Sequence, residues 1–376
     1  MNTLLDPVAL TSRLVRYNSI TGPQAENACG RDLGQWLTDA GFRVEYHEYG
    51  PGRPNLLARL GRSDLGPPLG FSGHLDVVPL GDQEWSVNPF GGDIVHGRVY
   101  GRGSTDMKGG IAAFVSAVAG LRRELESTAG VLLVITAAEE TACQGALHLA
   151  KLGVLGNVSG LVLAEPTNNR PVIAHKGVLW VRAETEGVAA HGSTPQLGVN
   201  AIHKIADAVQ ALRALKLPDD LDPLMGCATL NIGKIGGGAN INSVPDRAFV
   251  EVDIRTLPTM RHADIRDALE AALTATGARI DTLADLSGIW TDPRGPFVRD
   301  IFEIVKSETG ATPAIEAAPY ITDASALTPA FGGVPTVIWG PGDPALAHCC
   351  DEYIEVSRIE QATRFYDALL RRLVIK

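Results

Sequence analysis

Apolar runs of this sequence end repeatedly in histidine, aspartate or glutamate. The residues concerned are His74, Asp76, Glu139, Glu140, Glu165 and, beyond a Gly/Pro turn, His348. Asp106 lies in a glycine-rich segment between the first two runs. Imidazole and carboxylate groups are good zinc ligands, and carboxylates crowded together without a cation would repel one another. One bridging aspartate with a histidine and a carboxylate for each ion describes a centre of two metals ~3.5–4 Å apart.

His74 and Asp76 raise a separate question because they are two positions apart. Residues i and i+2 of a strand leave on the same face, so the two side chains can touch. Asp76 is then predicted to hold the His74 imidazole in one tautomer through its carboxylate. A lone His-x-Asp is more often a structural strand end, and a Glu-Glu pair is usually solvated. The coincidence of six candidate residues favours the metal site, namely His74, Asp106, Glu139, Glu140, Glu165 and His348.

The elements that must position these residues alternate between strand and helix. The runs "PLGFSG", "VLLVITAA" and "GLVLA" are too apolar to alternate, which is typical of a mostly parallel sheet covered on both faces. Ligands of open α/β sheets bind outside the carboxyl ends of the strands, where the titratable residues stand. The helix after Asp106 is predicted to have one apolar face. We therefore predict an α/β catalytic domain.

A different element order interrupts this pattern. Residues 178–287 are predicted to fold as β-α-β-β-α-β, the order of a ferredoxin-like sandwich. The helix, apolar strand and closing helix that follow resume the first pattern. The prediction is a catalytic domain formed by residues 1–177 and 288–376, with an inserted domain between them.

Composition limits the partners. The 376 residues carry a formal charge of -10, so nucleic acid and anionic membrane surfaces would be repelled. Five cysteines without Cys-x-x-Cys spacing indicate neither a disulfide framework nor a zinc knuckle. The first twenty residues lack the features of a signal peptide, and no run approaches the length of a membrane span. A cytoplasmic protein is expected.

Two other chemistries fit less well. The loops "GRGSTD" and "GKIGGGAN" are glycine-rich, but neither completes Gly-x-Gly-x-x-Gly or a P-loop. Cys143, Cys349 and Cys350 have no evident base beyond His348, so a cysteine nucleophile is not favoured.

Seven motifs in order resemble the dinuclear zinc amidohydrolases, which include acetylornithine deacetylase, succinyl-diaminopimelate desuccinylase, aminoacylases and carboxypeptidase G. They are "SGHLDVVP", "YGRGSTDMKGG", "AAEET", "LAEPT", "AHGS", "NSVPD" with "VDIR", and "GPG" with "AHCCDEYIE". The resemblance implies two zinc ions per chain, replaceable by cobalt or manganese. It places one ion on His74, Asp106 and Glu165. It places the second ion on Asp106, Glu140 and His348.

The resemblance also implies roles for further residues. Glu139 would be the general base that takes a proton from a water bridging the two zinc ions, which gives the attacking hydroxide. The inserted domain would be a lid that forms a homodimer, and His191 would complete the site of the neighbouring subunit. Arg255 and Asn242 would bind the substrate carboxylate.

Within the family the chain looks most similar to the acetylornithine deacetylase branch. His175-Lys176-Gly177 stands where desuccinylases usually have Arg-Arg-Gly. Asp323 and the Cys349-Cys350 pair depart from that branch near the substrate. The expected reaction is hydrolysis of a small N-acyl amino acid, of N-acetylornithine type. A desuccinylase, a dipeptidase or carboxypeptidase, and a non-catalytic metal-binding scaffold are the alternatives.

Overall fold

The computed structural model describes residues 5–218 and 220–375, so the outer ends of the predicted catalytic segments lie outside the described residues. The chain divides into two compact units. The first consists of Met1–Ala174, Trp290–Ala317 and Thr322–Lys376. The second consists of His175–Ile289 and Ala318–Ile321. Within the described ranges, no helix is both long enough and apolar enough to cross a bilayer.

Strands and helices alternate along much of the chain. The strands are β1 (Arg43–Gly50), β2 (Arg53–Leu60), β3 (Leu69–His74), β4 (Ile94–Val95), β5 (Arg98–Tyr100), β6 (Val131–Thr136), β7 (Leu161–Leu163), β8 (Val172–His175), β9 (Gly177–Glu186), β10 (Thr229–Gly237), β11 (Arg247–Thr256), β12 (Arg279–Leu286), β13 (Ile289–Trp290), β14 (Glu316–Ala318), β15 (Thr336–Ile338) and β16 (Tyr353–Glu355). The helices are α1 (Pro7–Val15), α2 (Asn27–Asp39), α3 (Gly109–Gly120), α4 (Arg122–Leu125), α5 (Gln144–Leu152), α6 (Ala201–Ala214), α7 (His262–Leu273), α8 (Pro296–Thr309), α9 (Ala324–Ala330) and α10 (Val356–Leu370).

The first unit is built on a nine-stranded sheet of order β1-β2-β6-β3-β7-β15-β8-β13, with β14 paired to β8. Its central strands β6, β3, β7 and β15 run parallel. The outer strands β1 and β2 are antiparallel, as is β8 beside β15. Every residue of β3 and β6 is buried, as expected for a parallel centre covered by helices. The predicted α/β class is confirmed.

Helix α3 packs in the core of this unit against α1 and α10. Its residues 109–118 are all buried, whereas the sequence predicts a single apolar face. Small residues such as Ala112, Ala113 and Ser116 occupy the predicted polar side, and their size lets neighbouring elements approach closely. Phe71 of β3 lies 5.7 Å from Phe114, measured between ring centroids. This packing holds the strand that ends at His74.

A small antiparallel sheet of order β16-β5-β4 also belongs to the first unit. Tyr353 in β16 pairs with Tyr100 in β5, and their ring centroids are 5.4 Å apart. The hydroxyl of Thr105 donates to the carbonyl of Tyr353 at 2.7 Å. The small sheet therefore joins the segment just before Asp106 to the segment just after His348.

The second unit has the element order β9-α6-β10-β11-α7-β12, which is β-α-β-β-α-β. Its four strands form an antiparallel sheet of order β10-β11-β9-β12. Alternate residues of β11, namely Ala248, Val250, Val252 and Ile254, are buried in one cluster with residues of α6 and α7. Asn200 caps α6, because its side chain accepts hydrogen bonds from the amides of Ile202 and His203.

Candidate metal centre and active site

Three neighbouring parallel strands bring the predicted ligands to one edge of the sheet. His74 is the last residue of β3 and pairs with Thr136, the last residue of β6. Glu139 and Glu140 follow β6 in a single helical turn, and Glu165 follows β7. Parallel strands end at the same edge of a sheet, so these side chains converge.

Asp106 lies between the two histidines. Its Oδ1 is 3.3 Å from Nε2 of His74, and its Oδ2 is 3.3 Å from Nε2 of His348. Each carboxylate oxygen therefore faces a different imidazole, which is the arrangement that a bridging ligand requires. The turn Ser104–Lys108 presents this side chain just before α3 begins.

The remaining carboxylates complete two groups around Asp106. Glu165 Oε2 is 3.8 Å from Nε2 of His74, and Glu140 Oε2 is 3.3 Å from Nε2 of His348. Ligand atoms of His74, Asp106 and Glu140 all lie within 4.8 Å of one another. Among the described residues, no lysine or arginine forms an ion pair with Asp106, Glu140 or Glu165.

The pKa directions reflect carboxylates that are buried and crowded together without a lysine or arginine partner in the described part of the chain. Burial raises the pKa of Glu165 to about 7 and also raises that of Glu140. Hydrogen bonds to Asp106 and Glu140 raise the pKa of His348 to about 10. Burial alone would lower the pKa of His74, but the nearby carboxylates, Glu165 first, raise it well above its usual value. Raised pKa values mean that these groups take up protons to offset crowded negative charge, and a divalent cation would offset it in the same way. Their oxygen and nitrogen atoms are suitable metal ligands.

Asp76 contacts the centre differently from the sequence prediction. The sequence predicts that its carboxylate holds the His74 ring, but Nδ1 of His74 donates to the Asp76 carbonyl at 2.9 Å, and the carboxylate is 3.6 Å away. The carboxylate instead accepts from the amides of Glu139 at 3.1 Å and Glu140 at 3.2 Å. Two main-chain amides of a tight turn compete better for this buried carboxylate than the ring does. Asp76 thus fixes both glutamates.

Glu139 is buried beside two residues that the sequence left without a role. The Cys143 thiol donates to its Oε1 at 3.6 Å. Ligand atoms of Glu139, Cys143 and Asp323 lie within 4.8 Å of one another. Burial raises the pKa of Glu139 well above its usual value and that of Asp323 to about 6. The spacing of Cys143, one helical turn after Glu139, is the only sequence signal for this contact.

A buried Arg–Glu pair also supports the turn that carries Glu139. Glu26 is fully buried, and Arg53 donates to it from both Nε at 2.9 Å and Nη2 at 2.5 Å. The same carboxylate accepts from the amide of Ala138 at 3.1 Å. Neither residue follows an apolar strand, so the rule that finds the ligands does not find this pair.

His191 and Asn242 belong to the second unit, where they are exposed and close in space. His191 bridges to Ser243, and the amide of Gly192 donates to the carbonyl of Asn242 at 2.8 Å. The amide of Ser193 donates to Nδ1 of His191 at 3.1 Å. A main-chain amide can only donate, so in the neutral ring Nδ1 accepts and the proton lies on Nε2, which contacts no acceptor among the described residues.

Arg255 also belongs to the second unit, near the end of β11. Its Nε is 3.0 Å from Oδ1 of Asp253, and the two side chains are about one-third exposed. The pair leaves the terminal nitrogens of the guanidinium unpaired by Asp253. This geometry agrees with a structural ion pair between Arg255 and Asp253, and it also agrees with the expected role of Arg255 in binding the substrate carboxylate.

The sequence profile of peptidase family M20/M25/M40 matches residues 70–372. The chain belongs to this family. The matched range contains every ligand described above. The geometry of the strand-end cluster and the family together identify this M20 protein as a metal-dependent hydrolase of amide bonds.

Curated relatives extend the comparison to the whole length of the M20 chain. The succinyl-diaminopimelate desuccinylase of Rhodospirillum centenum is 33% identical over 387 residues, which cover 98% of this chain and 97% of the relative. The probable succinyl-diaminopimelate desuccinylase of Staphylococcus epidermidis is 33% identical over 334 residues, or 80% and 82% of the two chains. These relatives agree with the desuccinylase alternative and give no support to the acetylornithine deacetylase branch.

Solved structures share the fold. An M20 family metallo-carboxypeptidase from Sulfolobus solfataricus superposes with a TM-score of 0.82 at 19% identity, covering 97% of this chain and 98% of that one. A Bacillus subtilis protein, described as a dinuclear metal-binding peptidase of the M20 family, superposes with a TM-score of 0.65 at 18% identity, covering 96% and 97%. At these identities the likeness concerns the fold alone.

Proposed function

We propose that the protein uses two divalent ions, with zinc as the preferred metal, to hydrolyse the amide bond of a small N-acyl amino acid. We further propose that this substrate is of the N-succinyl-diaminopimelate type. The observation that carries the two-ion proposal is the position of Asp106, whose two oxygens each lie 3.3 Å from a different imidazole. The acyl group rests on the relatives that are 33% identical.

The donor set divides into two overlapping groups. His74, Asp106 and Glu165 would hold one ion, and Asp106, Glu140 and His348 would hold the other. Each group supplies imidazole nitrogen and carboxylate oxygen, which suit zinc and also accept cobalt or manganese. Bound divalent ions supply Lewis-acid chemistry, since they polarise a carbonyl and make a water more acidic.

The chain's own residues supply the proton transfers. Glu139 would take a proton from the attacking water and return it to the leaving amine. Its Oε1 accepts from the Cys143 thiol, which leaves Oε2 for the transferred proton. Asp76 orients the Glu139 main chain because its carboxylate accepts a hydrogen bond from the Glu139 amide at 3.1 Å. A scaffold protein would have no use for this buried, oriented carboxylate.

Residues of the second unit are proposed to recognise the substrate. A guanidinium binds a carboxylate through two parallel hydrogen bonds, so Arg255, with Asn242, would bind the free carboxylate of the amino acid. His175 and Lys176 replace the Arg-Arg pair that is usual in desuccinylases. Here His175 is buried and Lys176 donates to the carbonyl of Cys227 at 2.6 Å. Acetyl and succinyl substrates must therefore be compared directly.

A substrate panel tests the proposal. Zinc-loaded protein would be assayed with N-succinyl-diaminopimelate, N-acetylornithine, other N-acetyl amino acids and dipeptides, with kcat/KM as the measurement. We expect the highest value for N-succinyl-diaminopimelate. A preference for N-acetylornithine would overturn the acyl assignment, and a preference for dipeptides would favour the peptidase alternative. Protein that binds two ions and hydrolyses no member of the panel would contradict the proposed function.

We further propose a homodimer in which His191 serves the partner's site. The second unit exposes apolar side chains, including Leu197 at 73% and Val199 at 42%, that a second copy could cover. The Nε2–H of His191 would donate to the oxygen of the scissile carbonyl as negative charge develops on it.

Subunit exchange tests this assignment. His191→Ala and Glu139→Gln should each be nearly inactive alone. If His191 acts across the dimer, a mixed dimer has one site with an intact Glu139 and an intact partner histidine, so activity should return. Native mass spectrometry would confirm the exchange. Mixed dimers without recovered activity, or an active monomer, would refute the role across the dimer.

A further inference from the structure

A buried Arg–Glu pair joins the turn of Asp106 to the segment of His348. Glu352 is fully buried, and its carboxylate accepts four hydrogen bonds. Oε1 accepts from the amides of Thr105 at 2.9 Å and Asp106 at 3.1 Å. Oε2 accepts from the amide of Gly103 at 3.1 Å and from Nη1 of Arg102 at 2.8 Å. One carboxylate thus fixes the main chain of the whole Asp106 turn.

Arg102 extends the same contact to the second segment. Its Nη1 also donates to the carbonyl of Cys349 at 3.0 Å, and Nη2 donates to the carbonyl of His348 at 3.4 Å. A further bond of 3.2 Å reaches the carbonyl of Pro79, in the loop after β3. The guanidinium lies 5.0 Å from the ring centroid of Trp85. Arg102 therefore holds loops on both sides of the metal centre.

The His348 segment depends on such support. The side chain of His348 is 54% exposed, so side-chain packing does little to fix the ring. His348 and Asp351 have φ of 64° and 53°, a left-handed conformation that non-glycine residues adopt only at a cost. Asp351 is held by the amide and hydroxyl of Ser86 at 2.8 and 2.7 Å. Main-chain contacts, among them those of Arg102, set the position of this ligand.

We infer that Glu352 and Arg102 are positioning residues that hold Asp106 and His348 at their relative positions before any ion binds. This inference rests on the proposed two-ion site, in which Asp106 and His348 ligate the second ion. Neither Glu352 nor Arg102 touches the ligand oxygens or nitrogens. Outer residues that orient metal ligands commonly change metal affinity 10–100-fold when they are replaced.

A purely structural role makes a different prediction. Removing one partner of a buried ion pair destabilises any protein, because the other charge stays buried. Such an effect would loosen the fold as a whole. The positioning role requires that the loss fall on the Asp106 turn and on the second ion.

Glu352→Gln is the sharpest change, because the volume is retained. A carboxamide has a single oxygen, so its NH₂ group must face either the main-chain amides or the guanidinium, both of which are donors. The matched control is Glu26→Gln. Glu26 is also fully buried and paired with an arginine, but it accepts from the amide of Ala138 and not from the Asp106 turn.

Hydrogen exchange in the metal-free protein tests positioning without reference to activity. We expect amides 103–106 to exchange at least about tenfold faster in Glu352→Gln than in the wild type, while β3 keeps its protection. Glu26→Gln should leave exchange at 103–106 unchanged. Equal exchange at 103–106 in wild type and Glu352→Gln, or an equal rise throughout the first unit, would overturn the inference.

Metal titration is the second readout. Zinc would be titrated into metal-free protein against a chromophoric chelator, and we expect Glu352→Gln to weaken the second binding step about 10–100-fold while the first changes less. Arg102→Lys, which keeps the charge but reaches fewer carbonyls, should give a smaller loss and serves if Glu352→Gln does not fold. Equal weakening of both binding steps in Glu352→Gln would overturn the inference. A wild type that binds no ion would refute the proposed function, and hydrogen exchange would still decide the positioning role.

Discussion

His74 and His175 both end a strand of the same sheet and are both buried, but their pKa values shift in opposite directions. Burial lowers the pKa of His175 to about 4, although its hydrogen bond to the Lys176 carbonyl at 2.8 Å acts in the opposite direction. The pKa of His74 is raised well above its usual value, because carboxylates outweigh burial. The neighbouring carboxylates, and not burial, therefore distinguish His74 from His175 as a candidate metal ligand.

The difference originates in the neighbouring strands. His74 ends a strand flanked by β6 and β7, which lead to Glu140 and Glu165. His175 ends β8, an antiparallel neighbour of β15. An antiparallel strand ends at the opposite edge of the sheet, so His175 lies away from the edge to which β6 and β7 bring Glu140 and Glu165.

The largest effect is expected where the carboxylates do chemistry. Glu139→Gln should lower turnover by ~10² or more and keep both ions, because it removes a proton acceptor and no ligand. Glu140→Gln should instead weaken the second ion. Turnover and bound metal would be measured on the same preparations.

Three results would contradict this division of roles between neighbours. Near-normal turnover in both variants would remove Glu139 from the reaction. Loss of both ions from Glu139→Gln would make it a ligand. Full retention of metal by Glu140→Gln would remove that residue from the ligand set.

Replacing His74 and His175 separately with asparagine tests the comparison between them directly. His74→Asn should bind fewer ions than the wild type, whereas His175→Asn should keep the wild-type stoichiometry, because only His74 faces Asp106 and Glu165. Elemental analysis after gel filtration is the measurement. Equal metal loss in both variants would show that burial of a strand-end histidine, and not its carboxylates, decides binding.

Much of the centre could be predicted because one rule places it. Buried parallel strands are readable as apolar runs, and a residue just after such a run must lie at the sheet edge. His74, Glu140 and Glu165 follow from that rule. Asp106 and His348 stand after turns, so the rule indicates them less directly than it indicates the residues next to a strand end.

The support around the centre was not predictable in the same way. The Arg102–Glu352 pair joins residues 250 positions apart, and its partners are main-chain amides and carbonyls that carry no residue type. For the same reason, the sequence does not indicate that the main-chain carbonyl of Asp76, and not its carboxylate, accepts the hydrogen bond of His74. Small elements such as β4, β5 and α9 lack a readable period, since two to seven residues are too few to show one.

The smallest effect concerns His175 and the pH dependence of stability. Its pKa in the folded protein is about 4, below the ~6.5 of an unfolded chain, so the unfolded state binds more protons between these values. The stabilising contribution is therefore complete above pH ~6.5 and is lost as the pH falls towards 4. Between pH 7.5 and pH 5 we expect His175 to cost about 2 kcal/mol of unfolding free energy.

Urea unfolding of the metal-free wild type and His175→Asn at both pH values isolates this term. The carboxylate cluster titrates in both proteins, so its contribution cancels in the difference between them. The asparagine amide can replace the Nδ1–H that donates to Lys176, and it does not titrate in this range. The wild type should lose about 2 kcal/mol more than His175→Asn on acidification. An equal loss in the two proteins would mean that His175 is protonated as easily when folded as when unfolded, and its contrast with His74 would then disappear.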